Sequence, residues 1–327
     1  MRNVLVTGGT GFLGSNLAAA LLREGCAVRI LRRPGSKSGA LAMLPIEHCI
    51  GDVLDMASLR SAVKGCDTVF HTAAMISYWR RERSLMDATN VQGTKNVAAA
   101  CAESGVSRLI HTSSTAAVGF PEQGGLADET TQYNWGPYDV GYRNSKHAAE
   151  LEIQAFVKSG LNAVIVNPTV IIGPGDVRFR GGQLLRDVRK KRIFYYVDGG
   201  MSVTYVDDVV RGHLLAAKIG RTGERYILSG ENLSHREILT TTAEIVGGLK
   251  PLFRMPFTAV SLVTKTSEAI ANTLGRRPWI SRELLAGSHH NYHFSCRKAQ
   301  TELGYTFRPY AQAATQTYEW YKTHGLL

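Results

Sequence analysis

Short β-branched runs alternate with longer helix-period stretches through the first half of the chain. The pattern predicts strands at Asn3–Thr7, Ala27–Leu31, Ile46–Ile50, Asp67–His71, Arg108–Thr112 and Asn162–Asn167. Between them it predicts helices at Gly14–Glu24, Met56–Lys64, Leu85–Ser104 and Tyr142–Ser159. This βαβα rhythm implies an α/β fold with a doubly wound, Rossmann-type parallel sheet covered on both faces. The uncharged run Ala163–Val166 fits burial on both sides of that sheet.

After Pro168 the rhythm loosens. Gly-Pro-Gly-Asp at 173–176 is a loop, followed by a helix at Gly182–Lys191 and strands at Phe194–Val197 and Ser202–Val206. Asp207–Lys218 reads as a helix returning to the sheet and Arg225–Leu228 as a short strand. From Ser234 the chain reads as mostly helical, ending in Pro309–Gly325. The expected organisation is a dinucleotide-binding domain at 1–169, rejoined by 201–229. A smaller, mostly helical C-terminal substrate lobe takes 170–200 and 230–327.

Composition narrows the class only a little. Apolar content of 44% and charged content of 20% are those of a globular protein. No run is long and apolar enough for a transmembrane segment. Gly8, Gly9, Gly11 and Gly14 interrupt the apolar start, which argues against an export signal. Five scattered cysteines without CxxC spacing read as small buried residues in a reducing cytoplasm. The net charge of +11 attracts anions. It fits a phosphate-rich cofactor and a solvated basic surface, and no nucleic-acid motif is recognisable.

The chemistry begins at Val4-Leu-Val-Thr-Gly8-Gly-Thr-Gly11-Phe-Leu-Gly14: strand, glycine turn, helix start. Gly8 allows the turn, Gly11 admits a pyrophosphate, and Gly14 lets helix and strand approach. The helix N-terminus offers free N–H groups to the phosphates. An acid ending the second strand would bind the 2′-hydroxyl of NAD. Here the run is Arg32-Arg33-Pro-Gly-Ser36-Lys37, so Arg33, with Arg32, Ser36 or Lys37, suits a 2′-phosphate and NADP(H) is favoured over NAD. Asp52, with Val53 beside it, is placed to take the adenine amino group or to cap the next helix.

Tyr142 and Lys146 stand at i,i+4 on one helix face. A tyrosine has a pKa of about 10, and a neighbouring ammonium lowers it toward a working general acid/base. Strand five ends in His111-Thr112-Ser113-Ser114, at the sheet edge where α/β proteins bind ligands. A serine hydroxyl there can hold a reacting carbonyl oxygen. Strand four ends in His71-Thr72-Ala73-Ala74, small enough for a dinucleotide to lie close.

These motifs together resemble the extended short-chain dehydrogenases/reductases, the NAD-dependent epimerase/dehydratase family. TGGTGFLG (7–14), GDVLD (51–55), HTAA (71–74), TNVQGT (89–94), TSS (112–114), YRNSK (142–146), NPT (167–169), GPGD (173–176) and YVDDV (205–209) run in the family's order. The chain is similar to the dihydroflavonol-reductase-like group. It also resembles hopanoid-associated sugar epimerases, through GHLLA (212–216) and GERYILSGENLSHREIL (223–239).

The resemblance implies a catalytic Ser114, preferred over Ser113, with Tyr142 as acid/base and Lys146 holding the nicotinamide ribose. It implies cofactor contacts from Gly8, Thr10, Gly11, Phe12, Leu13, Gly14, Arg32, Arg33, Lys37, Asp52, Val53, Ala73, Ala74 and Thr112, and a structural Asn90. Pro168 would lie beside the nicotinamide, and Asp207 or Asp208 would cap a helix. It also implies a homodimer through helices Leu85–Ser104 and Tyr142–Ser159. The departure from nucleotide-sugar epimerases is at the second strand, where many keep an acid for tightly bound NAD and this chain has arginines.

The substrate side is more apolar than polar. Met75, Ile76, Tyr78 and Trp79 follow strand four, and Phe120 follows strand five, suiting a hydrophobic small molecule. Met75, Tyr78, Ser114, Phe120 and Asn167 are the candidate substrate contacts. Seven basic residues between Arg178 and Arg192 read as a solvated face; the sharper readings are a diphosphate site or peripheral contact with acidic lipid. Phe257–Leu274 reads as a lobe helix rather than one lying on a membrane. His289 and His290 lack partners at metal-ligand spacing, so no metal is expected. The function expected is carbonyl reduction or hydroxyl oxidation with NADP(H). The alternatives are a nucleotide-sugar epimerase or dehydratase, and a non-catalytic NADP-binding protein.

Overall fold

A computed structural model describes residues 1–37, 39–121, 125–278, 280–286 and 288–327. Its strands are β1 Asn3–Thr7, β2 Ala27–Arg32, β3 Glu47–Ile50, β4 Thr68–His71, β5 Arg108–Thr112, β6 Ala163–Pro168 and β7 Val170–Ile172. They continue as β8 Tyr195–Tyr196, β9 Gly200–Tyr205, β10 Arg225–Leu228, β11 Glu231–Ser234, β12 Phe253–Arg254 and β13 Asn291–Tyr292. The first helices are α1 Phe12–Arg23, α2 Met56–Val63, α3 Arg83–Asp87, α4 Gly93–Glu103, α5 Gly141–Lys158 and α6 Gln183–Arg189. The rest are α7 Val206–Ile219, α8 His235–Val246, α9 Phe257–Thr273, α10 Arg282–Leu285, α11 Arg297–Leu303 and α12 Tyr310–Thr323.

The main sheet has seven strands in the order β10-β6-β5-β4-β1-β2-β3. Every neighbouring pair in it is parallel. Strand order reverses between β1 and β4, which opens a crevice at the carboxyl edge. Leu17, Leu21, Val209 and Tyr226 build the core on one face, and Leu59, Val97, Cys101 and Ile153 build it on the other. β6 is buried along its whole length, as the uncharged run requires. This is the Rossmann-like architecture the alternation predicts.

Three local differences matter. The predicted helix Leu85–Ser104 is interrupted by a π-helical turn at Ala88–Gln92, between α3 and α4. The predicted return of 201–229 to the main domain is divided. α7 packs on α1 and β10 joins the main sheet, but β9 belongs to a second, four-stranded sheet with β7, β11 and β13. From His235 the lobe is mostly helical, as its sequence reads, and the strands it adds are short and pair across long separations. Finally, Asp208 caps nothing: its buried carboxylate accepts from the backbone N–H and guanidinium of Arg308 at 2.9–3.2 Å.

Candidate active site

The glycine turn brings backbones within contact. Gly8 has φ +71°, and a Cβ there would lie 2.7 Å from the Ala73 backbone. At Gly14 a Cβ would lie 2.3 Å from the Gly8 carbonyl oxygen. The Gly11 N–H closes the turn onto Gly8 at 2.9 Å. Gly11 precedes α1, whose first N–H groups point to the crevice with no side-chain cap. The loops after β1 and β4 thus form a floor of backbone that only small residues permit. Thr10, Phe12 and Leu13 are half-buried around it, and Ala74 is exposed.

At the end of β2, Arg32 bonds His48 at 3.1 Å and the Ser36 carbonyl at 3.4 Å. Arg33 and Lys37 are exposed. Asp55, not Asp52, caps α2. Asp52 turns one oxygen to the Leu54 N–H at 3.0 Å. Val53 is 6% exposed and packs among the α2 and α4 side chains.

The π turn presents Asn90. Its amide bonds both the N–H and the carbonyl of Met75, at 2.7 and 2.9 Å, and donates to Ser145 on α5 at 2.9 Å. One buried side chain therefore ties the loop after β4 to the helix carrying Tyr142. Below it, His71 bridges Thr7 at 2.7 Å and Thr94 at 3.0 Å, with the His111 ring 5.3 Å away. Burial pushes His71 down to about 3 and His111 well below its ordinary value, with the Lys146 charge adding to both. Both rings are neutral near pH 7.

α5 buries one stripe: Tyr142, Ser145, Lys146, Ala149, Glu150 and Ile153. Ser114 lies near enough to the Tyr142 hydroxyl to favour its ionised form, and its own Oγ accepts from the Ala116 N–H at 3.1 Å. The Ser113 hydroxyl is buried without a partner among the described residues. Lys146 shares the stripe, yet its ammonium donates to the Thr112 carbonyl at 2.9 Å. Burial brings it down to about 8, partly opposed by Glu150. The phenol of Tyr142 is not brought down. Burial holds it well above its usual range and Tyr78 adds to that, against Ser114 and the charge of Arg143.

Asn167 does not line the cleft. It is fully buried, donating to the Ser114 carbonyl at 2.9 Å and to Glu150 at 2.6 Å. It sets the backbone of Ser114 from below. Thr112 donates from its hydroxyl to His213 Nε2 at 2.9 Å, because His213 Nδ1–H is spent on the Val209 carbonyl at 2.8 Å. Pro168 is buried at the end of β6, paired with Leu228.

Beyond Phe120, sequence reading missed an aromatic cluster assembled from distant segments. The Phe120 ring meets Trp135 at 4.6 Å, Tyr138 at 5.9 Å, His290 at 5.3 Å and Tyr292 at 6.4 Å. Arg143 lies over Trp135 at 3.4 Å and over Tyr292 at 4.8 Å. Trp135 is fixed by its indole N–H to the Val118 carbonyl at 3.1 Å. Tyr78 packs edge-on to the Tyr142 ring at 6.0 Å. Phe120 was the forward signal read from the sequence; the aromatic run Tyr133–Tyr138 was a second that went unread. The basic stretch disperses: Arg186 covers Phe179 at 4.3 Å, Arg192 pairs with Asp187, and Arg189, Lys190 and Lys191 are exposed.

The NAD dependent epimerase/dehydratase family matches residues 4–229. A curated relative, "Putative dihydroflavonol 4-reductase" of Synechocystis sp., is 35% identical over 325 residues, covering 98% of this chain and 94% of that protein. "Sterol demethylase protein B" of Methylococcus capsulatus is 36% identical over 255 residues, covering 77% of each. The crystal structure of gox2253 superposes with a TM-score of 0.88 at 37% identity, over 100% of both chains. The glycine cradle and the open N-terminus of α1 fit the dinucleotide this family takes. The chain belongs to the NAD dependent epimerase/dehydratase family and is an NAD(P)-dependent oxidoreductase of the extended short-chain dehydrogenase/reductase type.

Proposed function

We propose that this enzyme uses NADP(H) to interconvert a carbonyl and a hydroxyl on a fairly apolar small molecule. The observation that carries the reading is the Ser114–Tyr142 hydroxyl pair, set under an aromatic wall beside the glycine cradle. When bound, the nicotinamide would supply the hydride for carbonyl reduction, or accept it in the oxidation. Ser114 and Tyr142 hold the substrate oxygen between them. Tyr142 would give its proton to that oxygen in the reduction and take it back in the oxidation. Burial favours the protonated phenol, which suits the proton-donating direction. Lys146 and Asn90 hold the strand ends and loop against α5, and Asn167 sets the Ser114 backbone.

Preference for NADP(H) rests on Arg33 and Lys37, exposed beside the end of β2 where no acid stands. Phe120, Trp135 and Tyr292 support the apolar substrate.

The test is a panel of ketones and aldehydes followed through NADPH absorbance, with Tyr142→Phe alongside. Net NADPH oxidation that disappears in the variant, with cofactor binding kept, is the expected result. Turnover surviving in the variant sinks the proton-transfer role. Conversion of a nucleotide sugar without net cofactor change would move the reading to epimerase. Equal affinity for NADPH and NADH would remove the role of Arg33.

A further inference from the structure

Helix α9 is built inside out. Its inward positions are Val260, Thr264, Glu268 and Ala271, so a carboxylate and a hydroxyl point to the protein. Glu268 is 8% exposed and is satisfied by Arg282 at 2.6 Å. The outward positions are apolar: Leu262 is 67% exposed, Val263 57%, Ile270 57% and Leu274 63%. Two threonines on that face, Thr266 and Thr273, turn their hydroxyls back onto the helix carbonyls of Leu262 and Ala269 at 3.0 and 2.9 Å. They present methyl groups to the surroundings. The preceding segment also leaves Leu249, Leu252 and Phe253 exposed. A contiguous apolar surface of this kind marks an interaction site rather than scattered solvent-facing residues.

Among the described residues, the charges on and beside this face that pair with no acid, Lys265 and Arg276, are basic. Between Leu249 and Arg282 the sequence holds six basic residues and a single acid, the buried Glu268. Lys250, Arg254 and Arg277 pair with Glu244, Asp198 and Glu82, and Arg282 with the buried Glu268. Lys265 and Arg276 stand exposed. A second copy of the chain would set two such basic rims against each other. An anionic surface with an apolar interior complements both features at once.

The patch also leads to the active site. The Phe257 ring at the start of α9 meets His289 at 4.3 Å, His289 meets His290 at 4.1 Å, and His290 stacks on Phe120 at 5.3 Å. The same region leans on the catalytic helix, because Glu283 accepts the Gly141 N–H at 3.0 Å. Arg81, just beyond the cleft loop, holds the Asn272 carbonyl at 3.1 Å.

We propose that the outer face of α9, with Leu249–Phe253, docks the enzyme on an acidic lipid bilayer, its cleft opening toward the lipid. The helix lies in the interface rather than across it: no helix among the described residues is long and apolar enough to span a membrane. Delivery of an apolar substrate from the bilayer rests on the function proposed above; docking itself does not.

The experiment is flotation of the full chain with vesicles of phosphatidylcholine alone and of phosphatidylcholine mixed equally with phosphatidylglycerol. The protein should float with the mixed vesicles, weakly or not with the neutral ones, and less as salt rises. The double variant Leu262→Glu, Ile270→Glu should lose at least about tenfold of this partitioning. Its circular dichroism and melting temperature should match the parent, since both side chains are exposed. Failure to float with anionic vesicles, or flotation unchanged in the variant, overturns the proposal. So would a dimer in vesicle-free solution that the double variant dissociates, which would give this face to a second copy. Because flotation needs neither cofactor nor turnover, it can fail while the catalytic reading stands, and the reverse.

Discussion

The cofactor side and the substrate side of this enzyme are built by different means. On the cofactor side the working surface is backbone. Gly8, Gly14 and Ala73 are small so that two loops and a helix start can meet, and all come from contiguous strand-turn-helix segments. On the side proposed for the substrate the surroundings are side chain: Phe120, Trp135, Tyr138, Arg143, His290 and Tyr292 converge from four separate stretches. A backbone site tolerates almost no change of residue size. A side-chain site can be recast by exchanging one ring for another, which is how one sheet serves many substrates.

The sharpest way to break this contrast is Gly14→Val. Its Cβ would stand 2.3 Å from the Gly8 carbonyl, so the turn must open. Loss of nucleotide binding and a stability cost of about 3 kcal/mol are expected, read by NADPH titration and thermal melting. Unchanged binding would mean that the cradle is not where the cofactor lies.

Arg143→Met tests the other side at lower cost. The guanidinium is the positive charge acting on Tyr142, and it also reaches Tyr78, Tyr133 and Tyr292. Facing the same phenol are Ser114 and, one turn along α5, Lys146, bound to Thr112. Removing the charge should lower kcat by about tenfold and move the alkaline limb of the pH profile upward, while leaving cofactor KM alone. A changed cofactor KM with an unmoved profile would make Arg143 a packing residue only.

A smaller effect separates the two regions by pH. His71, His111 and His213 are fully buried in the main domain and pushed below their ordinary value, His71 to about 3 and His213 to about 4. Unfolding lets them take protons near pH 6.5, so their contribution is intact above that value and drains away as pH falls toward 4. His235 and His290 in the lobe are lowered too, by less complete burial. Hydrogen exchange at decreasing pH should therefore loosen the ends of β4 and β5 before α8. The opposite order would show that the buried histidines do not set the acid limit.

What the sequence made legible follows the same division. Gly8–Gly14, Tyr142 and Lys146 were readable because spacing within one element decides their geometry. The seven-stranded sheet was readable from alternation, since each strand is followed by the helix that covers it. The second sheet was not: β7 and β13 hold three and two residues, and neither pattern nor propensity speaks at that length. Arg143 hid between two motif residues, because its clamp depends on Trp135 and Tyr292. Asn167 was misplaced in the cleft because strand-end position does not say which way a side chain turns. The outward face of α9 was diluted by Thr, Lys and Glu; only the structure shows that the glutamate is inside and the threonine hydroxyls are folded away.

The π turn at Ala88–Gln92 carries a consequence for how such a site can change. A π turn holds one residue more than an α turn, so it acts as an insertion absorbed inside a finished helix. Everything after it is carried round by about 100° relative to everything before it. Asn90 sits at that dislocation and is thereby aimed at Met75 and Ser145, while α4 keeps its own seat against α2 and α5. Deleting one residue here, such as Val91, would restore a regular helix and a tidier hydrogen-bond ladder. It would also force a choice between turning Asn90 away from its partners and unseating α4. The irregularity is a phase shift that lets a single helix face two directions at once.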